Sequence, residues 1–278
     1  MADTDYIVRG DGAVTTVGIL QSTIAPLDNI ITMSSIRESV PDSITIGMAV
    51  MVGNEIMRID SRIDFEFHVA RGCADTVPAV HLAGVPVWFI GMDVGTDHRE
   101  YSSGETVGVK ILPFTPNNKP LPIASVPPRT LTFNNRFFKP YPPGNFRVNG
   151  TPWCDAPYKF FMPADTEMVF SWAHRDRLLQ ADQLISHLDA SIGPETGTTY
   201  SVRVYDHIGD LKRTVLAITG TSWSYSKATA VSDLSAGYGS VVICSTRDSY
   251  DSLQSYTTLI DIFQSGLGDA LGERLGGF

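Results

Sequence analysis

Residues 47–60 read GMAVMVGNEIMRID, and residues 68–89 read HVARGCADTVPAVHLAGVPVWF. In the first stretch AVMV and EIMRI are short apolar runs flanking Gly53-Asn54, a pair that supplies the positive φ of a tight reversal. The segment is therefore expected to be a β-hairpin. Just before the second stretch, Phe65, Phe67 and Val69 alternate with Glu66 and His68, the two-residue period of a strand with one buried face. Val85, Val87 and Phe89 keep that rhythm, and Asn29–Ser35 (NIITMSS) adds a further strand. Helical spacing is confined to Leu178–Leu188 and to the chain after Ile260. Residues 1–105 are thus expected to form a small all-β module, a barrel or a sandwich.

Composition bounds the rest. The chain has 278 residues, room for about two domains. Only 18% of residues are charged and 43% are hydrophobic, which excludes wholesale disorder. Thirty acidic against 21 basic residues give a net charge of −9, and an acidic chain is a poor nucleic-acid binder because no basic stripe releases phosphate counterions. The first residues, MADTDYIVRGDG, lack the positive charge and apolar run of a signal peptide. The most apolar stretches, Gly47–Gly53 and Ala83–Met92, fall short of the roughly 20 residues of a membrane helix. The expectation is synthesis and folding in a cytoplasm, with no membrane insertion. Cys73, Cys154 and Cys244 are odd in number, far apart and without zinc-site spacing, so they are expected to be buried thiols.

Nine of the 17 prolines lie between Pro113 and Pro143. Proline removes ladder donors, so residues 106–143 are expected to be an extended connector in which Thr106–Ile111 and Arg129–Asn134 form short strands. Phe133, Phe137, Phe138 and Tyr141 give it apolar surface to bury. Alternation resumes at Gly144. Phe146–Val148, Glu167–Ala173, Thr199–Asp206, Leu211–Thr219, Ser222–Ser226, Gly239–Thr246 and Leu253–Ile262 make seven short strands, the pattern of an immunoglobulin-like, fibronectin type III-like sandwich over residues 144–263. The fold class is all-β. Residues 264–278 carry Leu267, Leu271, Leu275 and Phe278 at helix-like spacing among five glycines. That tail is expected either to order against a partner or to remain plainly disordered.

No catalytic pattern stands out. GxSxG, HExxH and a phosphate-cradling Gly-rich loop are all missing from the sequence. His98 stands near Asp93, Asp97 and Glu100, charges expected to be solvated on a loop, and His174 in WAHRDR reads as a surface histidine. His68, His81, His187 and His207 have no carboxylate and serine tied to them by spacing. The chain is expected not to be an enzyme and to need no cofactor or metal. The candidate subunit-interface or ligand-stacking aromatics are Phe137, Phe138, Tyr141, Trp153, Tyr158 and Phe160. Of these, the cluster in TPWCDAPYKFFMP either stacks on sugar rings or fills a seam. Arg71 and His81 are expected to hydrogen-bond carbonyls of their own loop.

The two opening stretches resemble a β module recurrent in bacteriophage tail and fibre proteins. There a strand pair of the I-D-D-E-I-M-R-V type precedes V-x-R-G-x-x-x-T-x-x-x-H-x-x-G-x-x-V. The matching positions here are Gly53, Asn54, Glu55, Arg58, Arg71, Gly72, Thr76, His81, Gly84 and Val87. Leu131 to Gly150 (LTFNNRFFKPYPPGNFRVNG), leading into EMVFSWAHRDR, resembles the entry to the fibronectin-like domain of siphophage tail-tip proteins and of the related gene transfer agent hub. Trp172 fits the strand-B tryptophan of that domain, whereas Tyr238 lies just ahead of the position of its strand-F tyrosine. The resemblance implies a structural virion protein of the tail tip or baseplate that supports host attachment. It implies a homo-oligomer, a trimer around the tail axis, with hub and fibre proteins as partners, assembled in the host cytoplasm and carried in the virion tail. The alternative is a tail adhesin that binds a host glycan or receptor through the sandwich loops.

Overall fold

The computed structural model describes residues 6–8, 16–37, 43–91, 97–113, 117, 119–153, 159–161 (backbone only) and 167–262. Six antiparallel strands open the fold: β1 (Val17–Leu20), β2 (Ile30–Arg37), β3 (Ala49–Val52), β4 (Glu55–Ile63), β5 (Glu66–Ala70) and β6 (Pro86–Ile90). They close into a barrel in the order β1-β2-β5-β4-β3-β6, with β6 returning to β1 through Val17↔Trp88 and Gly18↔Val87. Closure removes every open edge from this small sheet. The expected hairpin is β3–β4, and Gly53 at its tip has φ +57°. The inward parity places Val50, Val52, Met57, Ile59, Phe67 and Phe89 in one core. Phe65 departs from the expected alternation; it sits in the β4–β5 turn and is half exposed.

The second body is a sandwich, and it too follows the expected alternation. Beyond β7 (Thr106–Val109) and β8 (Arg129–Thr132) come β9 (Gly144–Val148), β10 (Thr151–Pro152), β11 (Lys159–Phe161), β12 (Met168–Ala173), β13 (Thr199–Asp206), β14 (Leu211–Ile218), β15 (Ser222–Tyr225), β16 (Tyr238–Arg247), β17 (Tyr250–Asp251) and β18 (Tyr256–Asp261). One sheet runs β10-β9-β12-β15; the other runs β11-β18-β16-β13-β14, with β17 on β16. Taking β9, β12 and β15 as A, B and E, and β13, β14, β16 and β18 as C, C′, F and G, this is the A-B-E over C′-C-F-G order of a fibronectin type III-like sandwich. Its core holds Phe146, Phe170, Tyr200, Val202, Ile243 and Tyr256. Trp172 packs on Tyr200 with ring centroids 5.2 Å apart. Tyr238 is the first residue of β16, exposed and tilted against His207 rather than set into the core.

One helical expectation changes, and one unexpected helix enters. Leu178–Leu188 forms turns, not a helix. A seven-residue helix that the apolar spacing does not signal, α1 (Lys227–Asp233), lies between β15 and β16; the Ser226 side chain caps it by accepting the Thr229 N–H. The C-terminal tail, residues 264–278, lies outside the described residues.

The chain divides into two compact units, Thr15–Gly91 with Lys139–Phe278 and Met1–Val14 with Met92–Phe138. Barrel and sandwich thus belong to one unit and touch directly, whereas the expectation set a proline-rich connector between them. The other unit contains the expected strand pair as β7–β8, a two-stranded sheet with Thr106 and Thr132 hydroxyls 2.9 Å apart and Tyr101 stacked on Phe133 at 4.1 Å.

Candidate functional site

The motif residues of the barrel converge on one buried carboxylate. Glu55 opens β4 on the inward parity shared with Met57 and Ile59, and it is 1% exposed. An isolated buried carboxylate is costly, so the fold must surround it with donors. Arg71 supplies two, Nε at 2.7 Å and Nη2 at 2.9 Å, in a bidentate pair. The Gly72 N–H (2.9 Å), the Ala79 N–H (3.0 Å) and His81 Nε2 (2.7 Å) complete the set. Burial by itself pushes the Glu55 carboxyl up, yet the hydrogen bonds from Arg71 and His81, the Arg71 charge and the Gly72 N–H together hold it below its ordinary value.

Arg71 also donates to the Ala79 carbonyl of its own loop, as expected, and beyond that loop to the carbonyls of Ala25 and Asp28. The expectation for His81 is corrected, because its side chain meets Glu55 and not a carbonyl of its loop. Gly72 has φ +56°, and a Cβ there would stand 2.6 Å from Pro78 Cδ, so this position admits no side chain without displacement. The Thr76 hydroxyl donates to Cys73 O and accepts from Ile56 N–H, tying the loop after β5 to β4.

Above this knot lies the seam with the sandwich. His187 N–H donates to Arg71 O at 2.9 Å, and Arg58 reaches Leu184 O. Gln254 accepts from Val77 N–H and donates to Asn54 O, both at 2.9 Å, clamping the hairpin tip. The sandwich side is a long loop between β12 and β13, and Arg175 organises it. Its guanidinium donates to the carbonyls of His174, Ser186, His187, Asp189 and Ala190 at 2.8–3.2 Å. Burial lowers the Arg175 pKa, and the cation is held by hydrogen bonds to carbonyl dipoles, with the Asp189 charge as a lesser support. A Cβ on Gly144 would stand 2.1 Å from this guanidinium, which explains the glycine at the start of β9. Further along, Glu195 takes Arg177 at 2.6 and 2.8 Å and also Arg247.

Glu55 is enclosed and saturated, and burial pushes the Cys73 thiol up to about 12. His174 is 2.7 Å from the buried Tyr200 hydroxyl, and burial raises that tyrosine's pKa well above its usual value. Asp93 lies outside the described residues, and among the described residues no three His, Cys, Asp or Glu side chains gather into a metal-holding group.

Of the sequence-predicted aromatics, Phe137, Phe138, Tyr141 and Trp153 have described side chains. Phe137 (77% exposed) and Phe138 (44%) form an edge-on pair at 5.6 Å, on the surface rather than buried in a connector. Tyr141 is half-buried. Trp153 is a correction: it is 4% exposed, its Nε1 donates to Thr257 O at 3.0 Å, and its ring meets Tyr256 edge-on at 4.9 Å. It is a core residue of the sandwich and no sugar platform. Tyr158 lies outside the described residues, and Phe160 is described only as backbone of β11. A group that the prediction omits lies on the barrel's outer wall. Val17, Trp88, Met51 and Ile56 are register partners across four strands, and Trp88 is 41% exposed. Outward parity in those apolar strands was its available signal.

These observations define a class: a two-body all-β protein in which a closed six-stranded barrel is pinned to a fibronectin type III-like sandwich. No protein-family model matches the chain, and no curated protein matches it in sequence. Among solved structures, a chain described as "Biofilm associated protein - BSP domain" is similar at 13% identity and a TM-score of 0.22, with 90% of this chain and 30% of that chain covered. At that TM-score the likeness carries no argument about fold or function.

Proposed function

We propose that this chain is a structural, non-enzymatic component of a bacteriophage tail tip or baseplate. In this reading it assembles as a homo-oligomer, a trimer about the tail axis, and joins hub and fibre proteins in support of host attachment. The observation that carries the need for a partner is the unit built on β7 and β8. Among its described residues from 97 to 138 no side chain is buried, while Ile111, Leu131 and Phe137 are exposed. A two-stranded sheet whose apolar side chains are left uncovered is marginal in water, so such a unit gains its stability in an assembly. The apolar row Val17–Trp88–Met51–Ile56 supports the same conclusion, because interface cores are depleted of charge. The particular assembly is argued from the resemblance of the Glu55–Arg71–His81 stretch to phage tail modules. Trp153, turned into the core, is not available to the glycan-binding alternative.

Mass photometry of the purified chain and fractionation of particles test this. The expected result is a discrete homo-oligomer and co-purification with tails, with the oligomer lost when residues 106–138 are deleted. A monomer absent from particles would sink the proposal.

A further inference from the structure

The seam between barrel and sandwich encloses a small cavity lined by Gly72, Thr76, Pro142, Arg175, Gln180 and His187. Its lining is polar, and one wall is unsatisfied. His187 is 5% exposed, its backbone is bonded on both sides of the seam, and its Nε2 has no hydrogen-bond partner in the protein. A buried polar atom left unpaired is costly, and native proteins rarely tolerate one. Burial lowers the His187 pKa to about 4, so near neutral pH the ring is uncharged, with one donor and one acceptor nitrogen.

The other side chains on the cavity have matching capacity. Gln180 lines the cavity and accepts the Asp176 N–H at 2.9 Å through its oxygen, so its amide NH2 is the group left to donate. Thr76 Oγ1 accepts one hydrogen bond and donates one, which leaves it a second acceptor lone pair. Arg175 faces the cavity as well, but its terminal nitrogens are already directed at five carbonyls. That favours a neutral ligand over an anion.

We propose that this cavity binds one ordered water molecule, held by His187 Nε2, the Gln180 amide and the Thr76 hydroxyl, which links the sandwich loop to the barrel loop. The water donates to His187 Nε2 and to Thr76 Oγ1 and accepts from the Gln180 NH2, three hydrogen bonds of the kind that buried waters typically make. The imidazole is then the Nδ1–H tautomer. This inference is independent of the tail-tip reading, since it concerns how the two bodies are joined.

A high-resolution crystal structure of the full chain, with a second crystal soaked in sodium bromide, tests it. The expected result is a single peak about 2.7–3.2 Å from His187 Nε2, with no bromine anomalous signal there. Nitrogen-15 spectra of the protein in solution should report the Nδ1–H tautomer for His187, and Gln180→Leu should empty the peak. A cavity without density, a bromide ion in it, an Nε2–H tautomer, or a peak that persists at full occupancy in the folded Gln180→Leu variant would each overturn the assignment.

Discussion

Glu55 shows how one residue can dictate a neighbourhood. Its parity along β4 is that of Met57 and Ile59, so a carboxylate is committed to an apolar interior and five donors must reach it. Substituting Glu55→Gln removes the charge and leaves the Arg71 guanidinium, itself 2% exposed, without a carboxylate. Stability to urea should fall by about 3–5 kcal/mol, the cost of breaking a buried pair from one side. A loss under about 1 kcal/mol would mean that the carbonyls of Ala25, Asp28 and Ala79 suffice for Arg71. The sequence holds the signal for this site, since a carboxylate on an apolar parity requires a buried cation. Spacing alone does not name Arg71 and His81 as the partners, 16 and 26 residues away.

At the scale of elements, the loop from His174 to Thr198 is the part that periodicity misreads. Leucines 178, 179, 184 and 188 suggest a helical face, yet Leu178, Leu179 and Leu188 are exposed in turns. The Asp176 side chain accepts the Leu178 and Leu179 N–H groups, and Arg175 collects five carbonyls, so the backbone polar groups find partners outside any helix. Lysine offers three donors on a point charge and cannot span that set. Arg175→Lys should therefore speed proteolytic cleavage within residues 176–192 by about tenfold, through easier local opening, while the far-ultraviolet circular dichroism of the sheets stays unchanged. An unchanged cleavage rate would show that the turn hydrogen bonds alone hold the loop.

For the whole molecule, the seam makes stability depend on pH in a definite direction. His187 titrates at about 4 in the folded chain against 6.5 in a free one, with burial the main cause; Glu55 nearby favours its proton, and Arg71 and Arg175 oppose it. The unfolded chain thus takes up the proton first, and stability falls as pH drops from about 6.5 towards 4, by about 3 kcal/mol in total. His174, lowered by burial, acts in the same direction. Glu55, held below its ordinary value, adds its own loss only under about pH 4.5, as its folded-state pKa is approached. The window from pH 6.5 to 5 consequently isolates the histidines. The difference in unfolding free energy between the wild type and His187→Asn should slope across that window; a flat difference would remove His187 from the seam's pH response.

The sequence by itself determined that this chain is all-β. It located the β3–β4 hairpin at Gly53, the strands at Phe67 and Phe89, and the sandwich strands from Phe146 to Ile260, because a two-residue apolar period and a positive-φ turn are local properties of the chain. Only the tertiary structure decided that the six strands close, that Glu55, Arg71 and His81 meet, that Trp153 faces inward, and that the barrel is bolted to the sandwich through His187, Arg58 and Gln254 rather than spaced from it by prolines. Those outcomes rest on contacts between residues distant in the chain, such as Asn54 with Gln254 across 200 positions, which no local period encodes.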